Sequence, residues 1–254
     1  MWRKLRIAIL LFVLATVAHR TWLQTSQTDW KKSLYVAVYP INMDGSDVSA
    51  SYISRLDAEQ FDEIVQYYAE EAARYKLVLR RPFEVRLAPK VTALPPQPEK
   101  HASMLQTIHW SLSFRWWAYR NSPPITVPPD IKLYLLYFDP ATHPVLPHST
   151  ALSKGRVGLV NVFASKAYSR QNNVIIAHEL LHTVGATDKY DLYNNQPAYP
   201  TGFAAPDKSP LYPQEFAELM AGRIPVSETR AEIPLNLSHT LVGGVTAREV
   251  GWKK

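Results

Sequence analysis

The chain has 254 residues, of which 46% are hydrophobic, enough to build a core of ordinary size. Its formal charge is +6, but Arg3, Lys4, Arg6 and Arg20 fall within the first 24 residues, which hold no acid; this leaves about +2 for the body and excludes a phosphate-tracking nucleic-acid surface. With no cysteine, disulfides, thiolate nucleophiles and cysteine metal sites are excluded, so any metal must be held by His, Asp, Glu or water.

The chain begins with a cationic stretch followed by an uninterrupted apolar run from Ile7 to Ala18. Twelve residues suit a signal-peptide core. From Leu5 to Leu23 the segment is also long enough to span a bilayer if Arg6 and Arg20 snorkel and Trp2 and Trp22 sit at the headgroups. We therefore expect residues 1–24 to be a signal anchor or signal peptide, 25–32 a linker and 33–254 the functional domain. The expected location is a bacterial cell envelope, with the domain periplasmic or extracellular, anchored in the inner membrane, or secreted if the segment is cleaved.

Ser33 to Ile41 alternates as a strand does, and Leu56 to Leu77 repeats Phe61, Ile64, Val65, Tyr68, Ala72 and Tyr75 at helical spacing. Phe83 to Pro89 reads as a second strand, and Val91 to Lys100 as a proline-rich loop. Ser103 to Asn121 reads as an aromatic-rich helix whose Trp116-Trp117 pair is expected in the core. Ile131 to Phe138 is the most apolar strand and is expected at the sheet centre. Gly155 to Ser165 carries two glycines and is expected at a sheet edge, where Gly158 to Ala164 would pair with an extended peptide. The alternation of strands and helices predicts a mixed α/β or α+β layer with a twisted mixed β-sheet.

Asn172 to Val184 predicts a third helix with Ile176, Leu180 and Val184 facing the core and Gly185 as its stop. On it, His178 and His182 stand four residues apart on the same side and can share one metal. Glu179, about 100° round the axis, can instead take a proton from a water beside the metal. This is the spacing of a Zn²⁺ site with a carboxylate base. Three residues after Gly185, Asp188 offers a third ligand, with Asp191 in reserve. Tyr190, Tyr193 and Tyr199 follow, and Tyr190 is the first candidate to donate a hydrogen bond to an oxyanion. Asp139, His143 and His148 could hold a second ion, and Asp191, Asn194 and Asn195 could bind Ca²⁺, although their spacing is not that of a calcium loop.

The stretch HELLHTVGATD, His178 to Asp188, resembles the zinc motif of the metzincin peptidases in its aspartate form, and TDKYD resembles snapalysin and immune inhibitor A-like peptidases. Met220, in AELMAGRIP, is similar to the methionine that metzincins hold in a turn beneath the zinc. Thr246 to Trp252 resembles the start of a final helix. The resemblance implies an upper subdomain with the sheet and helices and a small irregular lower one. It implies a zinc-dependent endopeptidase with ligands His178, His182 and Asp188, Glu179 as general base, and a protein or peptide substrate bound in extended form. The chain departs from the commoner pattern in its aspartate ligand, its added aromatic helix and its short final helix. Other readings of the same residues are a non-catalytic zinc-binding envelope protein and a zinc hydrolase acting on a non-peptide amide.

Overall fold

A computed structural model describes residues 2, 6–7, 9–16, 29–99 and 102–253. Their centre is a five-stranded mixed sheet in the order β2-β1-β3-β5-β4, built from β1 (Leu34–Asn42), β2 (Phe83–Leu87), β3 (Ile131–Phe138), β4 (Thr150–Leu152) and β5 (Val157–Phe163). The first three strands in space and β5 run parallel, and only β4 is antiparallel, pairing Thr150 with Leu159 and Leu152 with Val157.

Both faces of the sheet are covered, which is why β3 reads as an apolar run broken only by Lys132. Val36, Val38, Leu133, Leu135, Val160 and Val162 point to one face. There they meet α1 (Asp47–Ile53), α2 (Asp62–Arg74) and α4 (Ser169–Thr183). The alternate residues, among them Tyr39, Tyr134, Leu136 and Leu159, meet α3 (Met104–Asn121) on the other face. Helix α5 (Gly244–Glu249) closes the first layer through Ala247, followed by Val250 and Trp252. Short two-residue pairs, β6 (Ala217–Glu218) with β9 (Thr240–Leu241) and β7 (Ile224–Pro225) with β8 (Ala231–Glu232), organise the C-terminal part.

The coarse α/β class expected from the sequence is thus present, with several corrections. The edge of the sheet is β4; β5 is internal, because β4 pairs its first half while Ser149 and His148 bond Asn161 further along. The long helix expected over Leu56 to Leu77 is a 3-10 turn at Ala58–Phe61 followed by α2. Helix α1 has no apolar periodicity to announce it and is set by Ser46, whose hydroxyl caps Ser49 N. Helix α4 starts three residues earlier than expected, after a 3-10 turn capped by Ser165. Of the tryptophan pair, Trp117 packs on Tyr134 while Trp116 faces outward.

The expected membrane anchor is also corrected: among the described residues, no helix is long and apolar enough to cross a membrane. The inner-membrane location that rested on the anchor falls with it. Residues 1, 3–5, 8 and 17–24 of that segment, and 25–28 of the expected linker, lie outside the described residues.

Asn172 fixes the start of α4 to the end of β5: its Nδ2 donates to Phe163 O at 2.9 Å and its Oδ1 accepts from Phe163 N at 3.1 Å. Asn172→Ala leaves both backbone groups without these partners in a buried setting, so we expect a loss of about 2–3 kcal/mol in urea unfolding with an unchanged slope. A loss below ~0.5 kcal/mol would show that the link is dispensable.

Candidate metal centre

Helix α4 is buried on nearly every side, with Val174, Ile176, Ala177, Leu180 and Leu181 in the core. Tyr68 of α2 donates from its hydroxyl to Ala177 O, which ties the helix to its neighbour one residue before the first histidine. His178 and His182 leave the helix on the same side, their rings 4.7 Å apart in an edge-on arrangement. Each imidazole is fixed from behind by a main-chain carbonyl. His178 Nδ1 donates to Leu219 O and His182 Nδ1 to Ala186 O, both at 2.9 Å. A carbonyl can only accept, so both Nδ1 atoms carry hydrogen and both Nε2 atoms are left to face the site.

The two Nε2 atoms are 3.0 Å apart, and Asp188 Oδ1 lies 3.2 Å from that of His178 and 3.1 Å from that of His182. Gly185, at φ +109°, makes the turn that returns the chain to this point, a conformation that costs a glycine little. The Glu179 carboxylate also approaches, with an oxygen within 4.8 Å of both histidines. Its Oε2 is buried and has no hydrogen-bond partner.

The charges respond to this crowding. Burial resists charging of His178, but hydrogen bonding to Asp188, the Glu179 charge and the Leu219 carbonyl outweigh it and raise its pKa to about 9. Burial likewise resists ionisation of Asp188, yet the two imidazoles hold its carboxyl well below the usual range. Burial pushes Glu179 up, only partly offset by the histidines. Tyr190 is raised by burial and by the carboxylates of Asp188 and Glu179, so it stays a protonated donor at neutral pH.

His178, Glu179 and His182 form a group able to hold a metal ion, and its nitrogen-rich donor set is compatible with zinc. The fit extends to Asp188. Ligands 2.0–2.1 Å from a tetrahedral Zn²⁺ lie about 3.3 Å from one another, close to the spacing of the two Nε2 atoms and Asp188 Oδ1.

The other residues singled out by sequence divide. Met220 is fully buried in a 3-10 turn, Leu219–Ala221, whose first carbonyl holds His178, and Gly222 at φ +69° ends that turn. Tyr190 stands beside His178, its ring 6.3 Å from the imidazole. Tyr193 and Tyr199 are exposed. Asp191 is committed to its own loop, its Oδ1 accepting from Tyr193 N, and Asn194 does the same for Gln196 N. In the same loop Asn195 N donates to Asp191 O at 2.7 Å. Asp139, His143 and His148 are not gathered into a second metal group among the described residues: Asp139 Oδ1 caps Ala141 N and His148 offers its carbonyl to Asn161.

Two residues of the site's frame escaped sequence reasoning. Lys189, almost fully buried, donates from Nζ to Thr187 O, Thr187 Oγ1 and both oxygens of Glu249 on α5 at 2.7–2.9 Å. Glu218, fully buried, accepts from Ala221 N, Gly243 N and Thr246 Oγ1. Neither stands in a motif; each is defined by a partner at least 25 residues away.

No family model matches the chain, and no curated protein matches it.

The geometry separates the two candidate third ligands. After identical dialysis following Zn²⁺ loading, Asp188→Ala is expected to lose most of its metal, and Asp191→Ala to keep it near one equivalent. Retention by the first variant with loss by the second would assign the role to Asp191.

Proposed function

We propose that the protein is a zinc-dependent endopeptidase of metzincin type. The observation that carries this reading is the convergence of two tautomer-fixed Nε2 atoms and one carboxylate oxygen beside a buried, unpartnered Glu179 Oε2. A protein that only stores or displays zinc has no use for that carboxylate. Isolated burial without a hydrogen bond is costly for such a group, and it is found where a proton must be held or moved.

Zn²⁺ held by His178, His182 and Asp188 would supply a Lewis acid and a water of lowered pKa. The chain's own residues supply the rest. Glu179 Oε2 takes a proton from the attacking water and returns it to the nitrogen of the leaving amine, and its burial raises its basicity for that exchange. Tyr190 offers a hydroxyl donor to the oxyanion of the tetrahedral intermediate. Leu219, in the turn that buries Met220, keeps the His178 ring in place through its carbonyl.

A substrate in extended form fits the sheet edge better than any helix groove. The strand available for addition is β4, at the sheet edge and packed against α4, rather than the interior β5.

Glu179→Gln keeps the shape of the site but removes the base. We expect it to bind Zn²⁺ near stoichiometry and to cleave a peptide library at least ~10²-fold more slowly. Activity within a few-fold of the unaltered protein would remove Glu179 from the mechanism. Zinc binding with no cleavage of any peptide by the unaltered protein would point to a non-peptide amide or a non-catalytic role.

A further inference from the structure

Helix α3 packs on the second face of the sheet through Phe114, Ala118, Trp110 and Trp117, beside loop residues such as Ala88 and Val91. Its outward side is apolar too. Met104, Leu105, Ile108, Leu112, Trp116 and Tyr119 are between 47% and 81% exposed, and at 100° per residue they fall within an arc of about 120°. Together they present on the order of 800 Å² of surface, above the largest apolar patch usual on a monomer and equal to one side of a standard protein interface.

The stripe has a further property: it reads the same in both directions about Leu112. Ile108 and Trp116 lie four residues either side of it, and Leu105 and Tyr119 seven. A two-fold axis through Leu112 therefore pairs Leu112 with itself, Ile108 with Trp116 and Leu105 with Tyr119, each large ring against an aliphatic side chain. The charges suit this antiparallel arrangement. The helix carries no acid and ends in Arg120, stacked on Trp116, while Glu99 is held at the other end by Gln106. Antiparallel pairing brings the Arg120 end of one helix to the Glu99 end of the other; parallel pairing would set like charges together.

We propose that the outward face of α3 is the interface of a two-fold homodimer centred on Leu112, formed by antiparallel packing of α3 on α3. The partner is a second copy of this chain. Because α4 lies on the opposite face of the sheet, both candidate metal centres remain open in the dimer. This inference is independent of the proposed peptidase activity.

The absence of cysteine among the 254 residues allows a direct test in this chain. Under mild oxidation at ~10 µM, Leu112→Cys is expected to form a disulfide-linked dimer, its two Cα atoms being within reach at the axis. Leu105→Cys alone should stay unlinked, since its two copies are about 20 Å apart along the paired helices. Leu105→Cys combined with Tyr119→Cys should link again. In sedimentation, the unaltered chain should be dimeric and Leu112→Glu monomeric, with unchanged circular dichroism.

Equal linking at Leu105 and Leu112 overturns the proposal, as does a monomeric unaltered chain at ~100 µM. So does a monomer that floats with lipid vesicles through the same six residues, which would make the face a membrane contact.

Discussion

Everything at the centre rests on two hydrogen bonds, each between an imidazole Nδ1 and a main-chain carbonyl. They come from different places: Leu219 O from the turn before β7, and Ala186 O from the loop just after α4. Without them the two rings can turn about their bonds and exchange tautomers, and the Nε2 atoms lose their common target. A donor set this tight needs carbonyls that do not move, so the demand passes from the helix to the segments that supply them.

Those segments have little regular structure. From Ala186 to Phe216 there is no helix or strand beyond isolated bridges, Tyr190 with Pro197 and Phe203 with Ala217. Buried charge provides the order instead. Lys189 fastens the Asp188 loop to Glu249 of α5, and Glu218 fastens the Met220 turn to Gly243 and Thr246 at the start of the same helix. Removing Lys189 would leave Glu249 without its ion-pair partner, and removing Glu218 would leave Ala221 N, Gly243 N and Thr246 Oγ1 without their acceptor. Their value lies in register: they allow one placement of loop, turn and helix, and that placement is the one the imidazoles require. Gly202 has the same character. A Cβ there would meet Lys189 O at 2.2 Å and Ala198 N at 2.7 Å, so the loop can close around Lys189 only with a glycine.

How much of this was legible in the sequence depends on whether the cause is local. Four of the five strands of the main sheet and three of the helices announced themselves, because alternation and helical spacing are properties of neighbouring residues. So did the arrangement of His178, Glu179, His182 and Asp188, since a helix turn and one glycine bring them together. Helix α1 and strand β4 did not, being too short for a period to develop. The edge position was misread for a related reason. Gly158 suggested an exposed strand, yet it is a close approach: a Cβ there would sit 2.9 Å from Leu133 Cδ2 and 3.2 Å from Ala151 Cβ, so the glycine admits β4 alongside. Lys189 and Glu218 could not be singled out at all, because a bond to a partner distant in sequence leaves no mark on either residue's neighbours.

The stripe on α4 shows a different limit. Ile176, Leu180 and Val184 do face the core, but so do Ala177 and Leu181, and Asn172 and Asn173 are buried with them. A helix enclosed on this many sides has no single polar face on which to carry charge. Glu179 is therefore conspicuous for physical reasons: among the described residues, its Oε2 is the one buried carboxylate oxygen left without a partner. Glu218 demonstrates that this chain can satisfy a buried carboxylate fully when the role is structural, surrounding it with three donors. The contrast between the two glutamates, one fully bonded and one left beside the imidazole pair with its Oε2 unpartnered, separates the carboxylate that holds the frame together from the one that does not.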